Sequence, residues 1–289
     1  MTIPTCFSPT YSAITPTPSM TKLAMVANAA VQAGYAQLHD PGTVDLHLLR
    51  RLHDPRYVDA FLAGQEPLAS TPGWDWTAAI RDGVLAINAG QLAAARLARA
   101  HGIAANVGNG FHHATWAEGA DFCTFNGLAL VALAHPDWRV FVLDCDEHCG
   151  NGTASFTPRL PNLFNYSICG TEWDYLRNER SRCHRLPPVT GEFESYREAM
   201  REAFACALDW RPDLIIYQAG ADPHQDDPLG SLHLTTQQLL ERDRWVFRFA
   251  RKAGIPLFFV LAGGYQKPIE TKLVPLHLNT FKAACECDQ

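Results

Sequence analysis

Asp144, Asp146 and His148 recur at every second position of the run Asp144-Cys145-Asp146-Glu147-His148, directly after the apolar stretch Val140-Phe141-Val142-Leu143. An extended chain sends alternate side chains to opposite faces, so these three would project to one side. Two carboxylates and an imidazole crowded together repel or desolvate one another, and a divalent cation among them relieves that conflict. Taken alone, the stretch reads either as a metal site or as a polar strand exit whose acids face water.

Such residues need elements to hold them. Apolar residues recur at three- and four-residue intervals over 20–34, 77–101, 193–209, 235–252 and 270–284, which predicts helices. Between them lie short apolar runs at 103–107, 140–143, 163–168, 214–218 and 256–261, bounded by Gly, Asp or Pro as fully buried parallel strands are. This alternation implies an open α/β sheet with helices on both faces. Irregular, proline-rich chain is expected over the first 20 or so residues. No Gly/Ser linker, charge block or repeat divides the rest, so residues 1–289 are expected to form a single domain.

Ligands of such sheets bind beyond the carboxyl ends of the strands, and polar clusters fall there four times. The run at 103–107 is followed by Gly108-Asn109-Gly110-Phe111-His112-His113, and that at 140–143 by the Asp144 to Gly152 segment. The run at 214–218 leads to Gly220-Ala221-Asp222, and that at 256–261 to Gly263-Gly264-Tyr265. Each cluster alone could be an ordinary turn. Four at one edge of one sheet point to a pocket.

Composition sets outer bounds. The 289 residues are 47% hydrophobic and 19% charged, with 24 basic against 30 acidic side chains, as in a soluble enzyme. A formal net charge of -6 argues against direct nucleic-acid binding, which needs a basic face, and tolerates cationic substrates. Nine cysteines without a Cys-x-x-Cys pair are an odd set with no disulfide framework, so a reducing, cytoplasmic setting is expected. The N-terminus lacks a basic-then-apolar leader, and no apolar run approaches the ~18 residues a membrane span needs, so no membrane partner is expected.

The motifs Gly110-Phe111-His112-His113-Ala114, Phe122-Cys123-x-Phe125-Asn126, Asp144-x-Asp146-x-His148-x-Gly150-Asn151-Gly152, Gly220-Ala221-Asp222-Pro223 and Gly263-Gly264-Tyr265 stand in order. In that order and spacing they resemble the histone deacetylase superfamily, most specifically over 100–268. The Gly264-Tyr265-Gln266-Lys267 ending resembles class IV-type members. The resemblance implies the arginase-deacetylase fold, a mostly parallel central sheet flanked by helices. It implies a metal bound by Asp146, His148 and Asp222, with coordination left for water and substrate. An imidazole ligand disfavours magnesium, so Zn2+ is expected, with iron(II) and manganese left open by ligand type.

The reaction implied is hydrolysis of an acyl amide on lysine or on a small amine such as a polyamine. By resemblance His113 is the general base, His112 its electrostatic partner, and Tyr265 the donor to the developing oxyanion. Asp144 would accept from His112 and Asn151 from His113, Asn151 standing where some relatives carry aspartate. Adjacent histidines can enter one pocket only where the backbone leaves extended geometry, which the preceding glycines allow. Ser167 and Ile168, with Asp144, would contribute to a potassium (K+) site; Gly110, Phe122 and Gly264 would line the substrate tunnel.

Three departures concern that tunnel. Asp121 precedes Phe122 where glycine is usual, Asn109 replaces the first glycine of a pair, and Cys149 replaces a frequent histidine. Trp74, Trp76, Trp173 and Tyr175 are rim candidates, and loops near 66–80 and 169–185 would set specificity. Two other readings compete: a ureohydrolase, which wants two manganese ions and more carboxylates than this set offers, and a catalytically silent relative that keeps the pocket for binding.

Overall fold

A computed structural model describes residues 2–189 and 193–287. Its centre is an eight-stranded sheet in the order β2-β1-β3-β8-β7-β4-β5-β6, with every neighbouring pair parallel. The strands are β1 (Ile3–Cys6), β2 (Ala36–His39), β3 (Ile103–Asn106), β4 (Val140–Asp144), β5 (Leu163–Cys169), β6 (Ser181–Arg185), β7 (Leu214–Gln218) and β8 (Leu257–Val260). Every residue of β3, β4, β5, β7 and β8 is buried, as expected of strands covered by helices on both faces. The edge strands β2 and β6 carry mixed, partly exposed patterns, and β1 has one half-buried residue, Pro4.

All five predicted helices form: α1 (Pro18–Gln32), α4 (Ala78–His101), α7 (Glu194–Trp210), α8 (Thr236–Ala253) and α9 (Val274–Glu286). Their ends follow local chemistry. Thr77 caps α4 by accepting from Ile80 N–H, and Thr235 and Gln238 close a capping box on α8. The helix expected from 270 begins instead as a wide turn, Ile269–Leu273, before α9 starts with Pro275 in its first turn. Proline has no N–H to continue a regular ladder, which places the break there.

Among the described residues four α-helices lie outside the periodic segments: α2 (Leu46–Leu52), α3 (Pro55–Ala63), α5 (Gly127–Ala134) and α6 (Asn151–Phe156). The first 20 residues are not irregular throughout, because β1 lies inside the sheet between β2 and β3, and α1 begins at Pro18. No helix among the described residues is long and apolar enough to cross a membrane.

The strand order decides where chemistry can occur. The four strands followed by polar clusters are β3, β8, β7 and β4, and these are consecutive at the centre of the sheet. Their carboxyl ends therefore open onto one place, although 156 residues separate Asn109 from Tyr265 in the chain.

Candidate active site

At that place Asp146, His148 and Asp222 each present one ligand atom, all within 4.8 Å of one another. His148 Nδ1 lies 3.3 Å from Asp146 Oδ1 and 3.3 Å from Asp222 Oδ2. Strand alternation does not bring them together, because β4 ends at Asp144. Beyond it the chain turns, with Asp146 N–H donating to Asp144 Oδ1 and His148 N–H to Asp146 Oδ1. Asp144 is thereby left out of the triad and accepts instead from His112 Nδ1 at 2.8 Å.

The donor set fits a divalent cation. Asp222 Oδ2 is fully buried without a well-directed hydrogen-bond donor, a costly state for a carboxylate oxygen unless a cation faces it. The space around it is kept open by glycine: a Cβ on Gly263 would lie 2.0 Å from Asp222 Oδ2 and 2.8 Å from Asp146 Oδ2. Gly263 N–H donates to Asp146 Oδ2 at 2.8 Å and Glu147 N–H to Asp222 Oδ1 at 3.1 Å, which leaves Asp222 Oδ2 for the shared space, while Asp146 Oδ1 also accepts from His148 N–H. Two carboxylates and one imidazole nitrogen match the ligand types of an open catalytic metal site.

The histidine pair sits beside this triad. The two rings have centroids 3.9 Å apart, and His113 Nδ1 lies 2.7 Å from Asn151 Oδ1. Burial works against charge on both, but Asp144 and Asp146 push the pKa of His112 up to about 9. For His113 burial and the adjacent His112 act together and bring it down to about 3, against a smaller opposing effect of the Asn151 bond. With its Nδ1–H donated to Asn151, a neutral His113 presents a lone pair on Nε2.

The bend that admits both rings is not made by glycine torsions. Phe111 carries the positive φ, 59°, immediately before the pair. Gly110 is required for close approach, since a Cβ there would lie 2.1 Å from Gln218 Oε1. Gly110 packs against Leu128 and Gln218 and Gly264 against Leu273 and Ala221 rather than lining the pocket, whereas Phe122 lines it together with Asp121, Cys123, His112, His113 and Tyr265. The cavity measures ≈ 20 Å³, room for about one or two waters. Among the rim candidates, Trp173 stacks on His113 with centroids 5.3 Å apart and Trp74 stacks on Phe122 at 5.9 Å. Trp76 and Tyr175 instead serve the scaffold, donating to the carbonyls of Phe61 and Arg182.

A model of the histone deacetylase domain matches residues 17–281. The chain belongs to the histone deacetylase family. It is 31% identical to an uncharacterized protein of Picosynechococcus over 98% of this chain and 99% of that one. It is 35% identical to histone deacetylase 2 of Arabidopsis thaliana over 62% of this chain and 48% of the plant protein. The match to acetylpolyamine amidohydrolase 1 of Pseudomonas aeruginosa is 28% over 53% of this chain and 48% of that enzyme. These alignments thus span about half the length of the named enzymes. The crystal structure of an acetylpolyamine aminohydrolase from Burkholderia pseudomallei superposes with a TM-score of 0.81 at 18% identity, covering 99% of each chain, and shares the arginase-deacetylase fold.

Several residues that hold these loops were not evident in the sequence. Arg242, fully buried on α8, donates from Nη1 to the carbonyls of Cys145 at 3.0 Å and Gly220 at 2.9 Å, tying together the loops that carry the triad. Lys22, on α1 and fully buried, donates from Nζ to Ala262 O at 2.5 Å. Asp227 accepts from Tyr265 N–H at 2.8 Å and fixes the start of the tyrosine loop. No periodicity distinguishes an inward Arg or Lys on a helix from a solvated one, so their signal was absent.

His53 supports the histidine segment from behind. Its Nδ1 lies 2.7 Å from Thr115 O, and its Nε2 accepts from Asn126 N–H at 3.1 Å. Asn126 in turn donates to Ala114 O at 3.2 Å. Burial lowers the His53 pKa from 6.5 to about 4, so the unfolded chain binds its proton first. Stability from neutral His53 is complete above pH 6.5 and is lost as pH falls toward 4, amounting to about 3 kcal/mol. Urea unfolding between pH 7 and 4.5 should show this decline, and His53→Gln should flatten it.

Proposed function

We propose that the protein is a metal-dependent amide hydrolase that removes short acyl groups, acetyl foremost, from primary amines. The observation that carries this reading is the convergence of Asp146, His148 and Asp222 beside a histidine pair and Tyr265. Zn2+ fits the mixed carboxylate and imidazole set and, when bound, would polarise the acyl oxygen and lower the pKa of a water. His113, neutral and with Nε2 unencumbered, accepts the proton of the attacking water and afterwards returns it to the leaving amine. His112, held cationic between Asp144 and Asp146, supplies positive potential beside the developing charge. Asp144 and Ser167 face one another across β4 and β5, where a K+ ion would steady the His112 partner.

The narrow cavity favours acetyl over longer acyl groups. One feature favours a small cationic amine over a neutral peptide lysine. Asp121 is exposed at the cavity, pairs with no cation among the described residues, and no Lys or Arg lines the same space. It is held there by a tight turn in which Asp121 and Phe122 both have positive φ, 44° and 65°. The Ala120 and Cys123 backbones close that turn with bonds of 3.0 and 2.7 Å. A carboxylate at the entrance, with Phe122 and Tyr265 as aromatic walls, suits the second ammonium of an acetylated diamine or polyamine.

The test is turnover by zinc-loaded protein on an acetylated polyamine and on a neutral-flanked acetyl-lysine peptide, each compared with longer acyl analogues. We expect acetyl to be preferred, and Asp121→Asn to raise KM for the polyamine by about 5–10-fold while leaving the peptide unchanged, the loss of one partly exposed charge contact. Failure to hydrolyse any of these amides would overturn the reading.

A further inference from the structure

Three cysteines from separate segments meet behind the site. Cys149 follows the ligand His148, Cys169 ends β5, and Cys183 lies on the edge strand β6. The sulfurs of Cys169 and Cys183 are 3.5 Å apart, already in contact, and Cys149 interacts with both. Cys149 and Cys169 are buried, whereas Cys183 is partly exposed and is the member an oxidant reaches first. None of these thiols lines the pocket or enters the proposed hydrolysis.

We infer that Cys169 and Cys183 form a reversible disulfide under peroxide, and that its closure slows the enzyme. The Cys183 thiolate attacks hydrogen peroxide, an S–O bond forms as the O–O bond breaks, and hydroxide leaves to become water with the thiol proton. Cys169 then attacks the Cys183 sulfur, forming the S–S bond and expelling the sulfenic oxygen as a second water. Two thiols are oxidised by two electrons and one peroxide is reduced, and a dithiol reductant reverses the sum.

Closure cannot be silent, because the pair is diagonal. The register sets Ser167 opposite Cys183, with Cys169 two residues further along β5. With parallel strands ~4.8 Å apart and two residues of ~3.3 Å rise between them, the diagonal Cα atoms lie about 8 Å apart, beyond the usual ~4.4–6.8 Å of a disulfide, so forming the bond must draw β6 along β5. As an edge strand, β6 has one neighbour and can move. The end of β5 is tied directly to the site: Gly170 and Thr171 N–H donate to Glu147 O, and Cys149 N–H donates to Thr171 O at 2.9 Å. Two residues on, Trp173 stacks on His113 and lies tilted against His148, with ring centroids 5.4 Å apart.

The experiment treats zinc-loaded protein with graded hydrogen peroxide, then alkylates free thiols and maps the peptides by mass spectrometry, with activity followed in parallel. We expect a Cys169–Cys183 cross-linked peptide lighter by two hydrogens, and a fall in kcat of about tenfold or more, the scale of displacing a positioned group by ~1 Å. Dithiothreitol should restore activity, and metal content should stay constant. Cys183→Ser should keep its reduced activity and resist peroxide, and Cys183→Ala should do the same if serine perturbs the strand. Both thiols remaining alkylatable, a different pair being joined, or the named disulfide forming with activity unchanged would each overturn the inference. The mapping reads the bond without reference to substrate, so an inactive preparation challenges the hydrolase reading and leaves the disulfide assignment to be judged by mass.

Discussion

Asp222→Asn should strip the metal while leaving the fold intact. In the wild-type chain Asp222 is wholly buried, and burial together with the adjacent Asp146 carboxylate raises its pKa to about 8, so without a metal it is held largely protonated at neutral pH and a cation is what lets it ionise. Asparagine keeps an oxygen to accept from Glu147 N–H but removes the negative charge that faces the shared space. Metal content per chain should fall from near one to well below it. Affinity should drop by more than the ~10–100-fold typical of losing a residue that merely orients a ligand. Hydrolysis should fall with it, to background at limiting zinc. The metal-free variant should unfold at the same temperature as metal-free wild type or higher, because at neutral pH the folded chain must hold a proton on Asp222 that the unfolded chain releases, a cost asparagine removes. Wild type alone should gain stability on adding zinc, since only a ligand that binds the native state stabilises it. Elemental analysis and paired thermal melts check both halves. A stoichiometric metal in the variant would mean that Asp222 is not a ligand.

The reach of the sequence can be judged from the same residues. Strands β3, β4, β7 and β8 are short apolar runs bounded by Gly, Asp or Pro, and that local contrast was enough to place them and the polar clusters after them. What joined the clusters was the strand order, which periodicity does not encode; there the ordered motifs of the family supplied the link. The period-2 argument over Asp144, Asp146 and His148 pointed to the place where Asp146, His148 and Asp222 converge, but through an incorrect geometry, because the strand stops at Asp144 and turns bring in the other two. Elements without contrast were missed. The α5 segment, Gly127–Ala134, is apolar on every side and has no stripe to detect; β6, Ser181–Arg185, is a polar edge with little apolar content. Proline within β1 masked a strand that pairs on both sides. Supports such as Arg242 and Asp227 were hidden because a buried charge looks, in sequence, like any solvated one.

Tyr265→Phe should separate oxyanion stabilisation from metal binding. The tyrosine backbone is anchored by Asp227, and its ring lies 6.0 Å from that of Phe122, so phenylalanine retains the packing. Its hydroxyl has no protein acceptor among the described residues, and burial with Asp222 and Asp146 nearby raises its pKa well above 10, keeping it protonated as a donor. A donor left free in the resting protein, on a residue that lines the cavity, is available to the charge that develops on the acyl oxygen. Removing one such donor costs ~10²–10³-fold in rate, about 3–4 kcal/mol of barrier. The loss should fall on kcat with KM little changed, since the bond strengthens as the oxygen becomes anionic. Bound zinc and melting temperature should match wild type. If kcat drops less than about threefold in the variant, Tyr265 contributes to the wall of the pocket only, and the charge must be met by the metal and His112 alone.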